Sequence, residues 1–127
     1  IAGLGMLKNG LTVANAQDVQ YDTSGNPISI IITNTSSQGP ADDLRIKPDV
    51  TGNGYFVNSS VAFVPLSNPL IASNNSYDSY TGTSMSAPNV SGSLLLLQEH
   101  YRNLNPFYMR SSTLKGLALH TATDAGM

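Results

Sequence analysis

Ser84 combines a hydroxyl with a setting in which electrostatics could turn it into a nucleophile. Ahead of it lie turn-forming and polar residues, Asn74, Asn75, Ser76, Asp78, Ser79 and Gly82. Behind it come Ala87, Val90 and Leu94 to Leu97, so the pattern predicts a loop handing over to a buried helix near Ser84. Pro88 fits only in the first turns of that helix, where a missing N–H does little harm. A serine at such a start has free backbone N–H groups and the positive end of the helix dipole beside it. An oxyanion formed during acyl transfer would be stabilised there. Gly82 would let the main chain of a substrate approach. Taken alone, Gly82-Thr83-Ser84 before a helix is most often an N-cap, and the chemistry needs more than position.

It also needs a base. Serine is a weak nucleophile near neutral pH and is activated by a histidine that a carboxylate holds in place. The chain has two histidines, His100 and His120, both after Ser84 and both with an easy reading as helix-surface or core residues. The base is therefore expected outside this chain.

The string Gly82-Thr83-Ser84-Met85-Ser86-Ala87-Pro88 resembles the signature around the active serine of the subtilases, the subtilisin-like serine peptidases. It is not the nucleophile elbow of α/β-hydrolases, which would need glycine where Ser86 stands. Further points of resemblance are the turn Ser36-Ser37-Gln38-Gly39-Pro40, the strand Lys47-Pro48-Asp49-Val50, the strand wording Lys8 to Ala14, and the helix ending Leu119-His120-Thr121-Ala122. One departure follows Val50, where the family has an Ala-Pro-Gly turn and this chain reads Thr51-Gly52-Asn53-Gly54, still turn-forming.

The resemblance implies an α/β fold: part of a three-layer, mostly parallel-sheet architecture with a buried central helix beginning near Ser84. Residues 1–127 would form the C-terminal portion of one catalytic domain. It further implies a serine endopeptidase that hydrolyses peptide bonds through an acyl-enzyme on Ser84, with Gly82 and Thr83 bordering the oxyanion hole and cleft. Subtilases place Asp and His before Ser, and their oxyanion asparagine before the strand matched at Leu11 to Ala16. All three are thus expected upstream of Ile1, and the stretch alone is expected to be inactive. The partners implied are a peptide or protein substrate and the N-terminal part of the same domain. No cofactor is required, structural calcium is compatible with a full domain, and secretion or a cell-surface location is implied. A catalytically dead scaffold serving as a binding or structural domain is the alternative, against which the intact Ser84 argues.

Composition agrees with a packed chain. Hydrophobic residues make up 40% and charged residues 11%, which suits extensive burial. A net charge of −2 with scattered signs gives no support for nucleic-acid or anionic-membrane binding. There is no cysteine, hence no disulfide and no thiolate metal site. The longest apolar run, Leu94 to Leu97, is far too short to span a membrane. The opening Ile-Ala-Gly-Leu-Gly and closing Thr-Asp-Ala-Gly-Met fit a piece of a longer chain.

Leu11 to Ala16 alternates as a short core strand after a turn at Lys8-Asn9-Gly10. Gln17 to Pro27 is a surface loop in which Asp18 and Asp22 are solvated, and no metal is assigned to them. Ile28 to Thr33 is a strand by its β-branched run, and Tyr55 to Val64 a strand pair or ribbon broken by Pro65, Asn68 and Pro69. Asp42, Asp43, Arg45 and Lys47 read as a solvated charged cluster with a structural role. The helix from Ser84 is expected to reach about Arg102, with Leu94 to Leu97 buried nearly all round. A second helix with Ser111 or Ser112 as N-cap would run through His120. Asn34, Asn58, Asn74 and Asn89 sit in Asn-x-Ser/Thr sequons, which arise readily in so Asn- and Ser-rich a chain.

Overall fold

The computed structural model describes residues 3–61 and 77–125. After a 3₁₀ turn at Gly3–Met6, strand β1 (Val13–Ala16) lies parallel to β4 (Val50–Asn53), in register from Val13 opposite Val50 to Ala16 opposite Asn53. Helix α1 (Thr83–Leu104) packs on this pair and touches both strands. The fold is therefore α/β, a parallel pair against a helix, as expected. Two antiparallel ribbons flank it: β2 (Gln20–Tyr21) with β3 (Pro27–Ser29), and β5 (Val57–Ser60) with β6 (Tyr77–Tyr80). Helix α2 (Ser111–Thr121) closes the described chain.

Side-chain alternation explains how β1 serves two layers. Ala14 and Ala16 line a broad cleft of about 910 Å³ on one face, together with Ile30, Ile32 and Leu119. Asn15, between them, points to α1 instead and is fully buried. The small apolar core comprises Ala14, Ala16, Ile30, Ala41 and Met109.

Several expectations are modified. The strand at Ile28 to Thr33 shortens to β3 plus a bridge from Ile32 to Ala16, and beyond Ser29 the run alternates between buried Ile30 and exposed Ile31. Only part of the expected ribbon at Tyr55 to Val64 appears, as β5, because residues 62–64 and the breakers Pro65, Asn68 and Pro69 lie outside the described residues. Gly52 and Asn53 belong to strand β4 and not to a turn. A glycine suits that strand because a Cβ at Gly52 would come within 2.7 Å of Val90 and 3.1 Å of the Ser86 carbonyl.

Helix α2 begins at Ser111 with Arg110 as its N-cap and no side-chain cap, so neither serine plays the capping role. Leu95 and Leu96 are 70% and 67% exposed, so contacts within the described residues do not bury α1 all round. The loop after α1 is held instead by polar side chains. Gln98 accepts from the Met109 N–H at 2.8 Å and donates to its carbonyl at 3.0 Å.

The expected charged cluster divides in two. Asp43 and Arg45 form an exposed pair, as read from the sequence. Lys47 is buried: its Nζ lies 2.6 Å from Asp49 and donates more weakly to Thr12 Oγ1 and the Gly10 carbonyl. The solvated reading of Lys47 is thus corrected. The parallel pairing of β1 and β4 carries Lys47, two residues before Asp49, under the segment that leads into β1, away from water.

Candidate active site

Ser84 is the second residue of α1 and is exposed. Gly82, the N-cap residue, has extended backbone, and its carbonyl accepts from the N–H groups of Met85 (3.0 Å) and Ser86 (3.3 Å). The N–H groups of Thr83 and Ser84 have no acceptor among the described residues, and no side chain caps the helix. These are the two free donors that a helix start leaves, beside the positive end of the dipole. The N-cap alternative for Ser84 does not hold here, because Ser84 lies inside the first turn with its hydroxyl in none of the bonds that close it. Pro88 sits in the second turn, so the Ser84 carbonyl lacks the donor it would otherwise find there.

Beneath Ser84 lies a buried polar node. Ser86 and Asn15 are both fully buried, and Ser86 Oγ lies 3.0 Å from Asn15 Oδ1 and 3.5 Å from the Gly82 carbonyl. A hydroxyl has one proton to give, and the shorter contact takes it. The Asn15 N–H donates to Ser36 Oγ at 3.1 Å, its carbonyl accepts from the Thr33 N–H at 2.9 Å, and Nδ2 reaches Thr35 Oγ1 at 3.5 Å. The turn at Ser36 thus supports the strand that supports the helix.

Gly54, directly after β4, completes the node. Its carbonyl accepts from the Gly82 N–H at 2.9 Å, and its own N–H donates to the Ala16 carbonyl at 3.3 Å. A Cβ at Gly54 would stand 2.2 Å from Ser86 Oγ, 2.5 Å from the Gly82 carbonyl and 2.6 Å from Asn15 Oδ1. Only a residue without a side chain lets β4, Asn15 and the helix start meet so closely. Sequence reasoning gave Asn15 and Ser86 no part of their own. Asparagine is depleted in strands, and its place inside an otherwise small and apolar one was the available signal.

The three residues assigned to the site, Gly82, Thr83 and Ser84, are contiguous and sit together at the C-terminal ends of β1 and β4. That is the end of a parallel sheet where α/β proteins place their sites. Neither histidine joins them. His100 is on α1, about 24 Å along the axis from Ser84 at about 1.5 Å per residue, and His120 is exposed in the last turn of α2. The broad cleft lies elsewhere, with none of the three residues in its lining.

Asp22 accepts from the N–H groups of Ser24 and Asn26 and from Asn26 Nδ2, closing the β2–β3 ribbon. The Asn26 side chain, above all, holds its carboxyl below the usual carboxylate value. Asp18 is bonded by Asn53 Nδ2. Among the described residues no group of three or more His, Cys, Asp or Glu is placed to hold a metal, and no helix is long and apolar enough to cross a membrane.

A serine on the first turn of a helix at the carboxyl edge of a parallel pair, with two N–H groups unbonded among the described residues, is an arrangement compatible with acyl transfer. The family model for the subtilases matches residues 5–127, and the chain belongs to that family. The chain is 38% identical over 85 residues to the PII-type proteinase of Lactococcus lactis subsp. cremoris, a stretch covering 66% of this chain and 4% of that protein. The PII-type proteinase of Lacticaseibacillus paracasei matches to the same extent. The C5a peptidase of Streptococcus pyogenes is 42% identical over 71 residues, covering 56% of this chain and 5% of that protein. The chain thus spans only a small part of the length of these relatives. No solved structure matches significantly.

Proposed function

We propose that residues 1–127 form the C-terminal part of a subtilisin-type catalytic domain, in which Ser84 is the nucleophile of a serine endopeptidase. The observation that carries this reading is the exposed Ser84 beside the free N–H groups of its own helix start, in a chain that belongs to the subtilase family. Ser84 Oγ attacks the carbonyl carbon of a peptide bond, and a histidine supplied from outside these residues takes its proton. The oxyanion accepts from the Ser84 N–H, with Gly82 and Thr83 bordering it and the substrate strand. The C–N bond breaks as the histidine returns the proton to the leaving amine, and water then releases the acyl group. No step calls for a cofactor. The substrates are peptides or proteins, met outside the cell or at its surface.

Labelling the full-length protein with a fluorophosphonate, followed by peptide mapping, tests the assignment. A single adduct on Ser84 is expected, with loss of peptide hydrolysis in proportion to labelling. Hydrolysis that persists without an adduct at Ser84 would overturn it. Ser84→Ala should lower kcat by about 10⁶-fold, a scale set by a related subtilase and not by this chain.

A further inference from the structure

We propose that Asn15 is a positioning residue for Ser84, acting through Ser86. The proposal rests on Ser84 being the nucleophile and adds how its orientation is fixed. Ser84 itself makes no side-chain hydrogen bond to any described residue, so its place depends on the helix turn that carries it. That turn is held at two points. Gly54 accepts from the Gly82 N–H on the loop side, and Asn15 Oδ1 accepts from Ser86 Oγ on the helix side. Ser84 lies midway between Gly82 and Ser86, and a small rotation of the helix about its axis would move all three together.

The bond from Ser86 to Asn15 resists that rotation from a rigid base. Asn15 is fully buried, its backbone N–H and carbonyl are bonded to Ser36 and Thr33, and its strand pairs with β4. An asparagine in a small, apolar strand has little packing justification, since alanine or valine would suit β1 better. A buried side-chain carbonyl aimed at a buried hydroxyl is, by contrast, a short, directional contact that no apolar residue can replace. The pair is also neutral, so it orients the helix without a fixed charge beside the site of oxyanion formation.

The test uses the full-length protein, with active sites counted by fluorophosphonate titration so that misfolded molecules drop out. Ser86→Ala should lower kcat per titrated site by about 3- to 10-fold with KM within twofold, the scale of one buried hydrogen bond expressed in the transition state. The rate of fluorophosphonate labelling should fall in step. Asn15→Ala should act in the same direction, and the double variant should be no worse than the more affected single one, because both remove the same bond. Should Asn15→Ala fail to fold, Ser86→Ala carries the test alone. If the variants lose only thermal stability, with kcat and labelling rate per titrated site unchanged, the pair is structural and the proposal falls while Ser84 stands. If the unaltered protein hydrolyses peptide with no titratable Ser84, both readings fall together.

Discussion

At the N-terminal ends of β1 and β4 the chain is joined through charge, whereas at their C-terminal ends it is joined through neutral polar groups. The first junction is Lys47, whose side chain is 2% exposed, against Asp49 at 2.6 Å, with Lys115 at 3.6 Å on the other carboxylate oxygen. The Thr12 N–H adds a bond to the same carboxylate at 2.7 Å. The second is Asn15, Ser86, Gly54 and Gly82, which contains no ionisable side chain. The first clamps the lead-ins of the two strands to each other, the second clamps the strand ends to the helix start, and only the second lies under Ser84. Ion pairs withdrawn from water fix geometry strongly, and they also create a local field. Among the described residues, that ion-pair field lies at the end of the strands away from Ser84.

This division makes the charged junction a matter of stability alone. Lys47→Met should destabilise the protein by about 3 kcal/mol, the lower part of the range for breaking a buried pair, because Lys115 and the Thr12 N–H still hold Asp49. Denaturant unfolding measures the loss, and kcat per titrated Ser84 should stay within twofold of the unaltered protein. A matching fall in kcat would show that the two ends are coupled and that the comparison is misdrawn.

Gly54→Ala probes the other end. The added methyl meets Ser86 Oγ, the Gly82 carbonyl and Asn15 Oδ1, all inside van der Waals contact, so about 1–3 kcal/mol of overpacking is expected. Here kcat per titrated site should fall as well, by about 10-fold or more, because the helix start must shift to make room. An active variant of undiminished kcat would mean that the close approach at Gly54 serves packing only.

Neither junction was legible in the sequence, although the elements that carry them were. The helix start at Ser84 was legible because turn formers, Pro88 and the apolar run each mark it locally. The strand expected at Leu11 to Ala16 was legible in part, with β1 covering Val13–Ala16. The node under Ser84 joins residues 71 positions apart, and nothing local to Asn15 or Ser86 announces the other. Lys47 was misread as solvated for a related reason. A lysine beside Asp42, Asp43 and Arg45 looks like surface until the pairing of β1 with β4 places Thr12 and Gly10 around it. Gly52 and Gly54 read as turn formers because a glycine in a strand or at its end is explained only by what packs against it, here Val90 and Ser86.

Acid should act on the charged junction and spare the neutral one. Burial raises the Asp49 carboxyl, but the Lys47 and Thr12 hydrogen bonds and the charges of Lys115 and Lys47 outweigh it and hold the group below its ordinary value. A lowered native value means that the stabilisation is complete above the unfolded-state value, about 3.9, and is lost as pH falls through the native one. Asp49→Asn should therefore be less stable than the unaltered protein at neutral pH, with the difference shrinking below about pH 4. A difference that stays constant down to pH 3 would mean that the charge on Asp49 is not what the junction uses.

The smallest effect separates burial from contact distance as the cause. Asp43 and Arg45 approach to 2.8 Å, close to the 2.6 Å of Lys47 and Asp49, and lie in the same loop. Their side chains are 48% and 32% exposed, against 11% and 2% for Asp49 and Lys47. The Arg45 guanidinium, through its hydrogen bond, holds the Asp43 carboxyl below the usual carboxylate range, yet water and salt screen that attraction in a way they cannot at Lys47. Asp43→Asn should accordingly leave the unfolding midpoint unchanged within experimental error, at low salt as at high. A loss approaching that of Lys47→Met would show that contact distance, and not withdrawal from water, gives the charged junction its strength. The contrast with the neutral node would then rest on geometry alone.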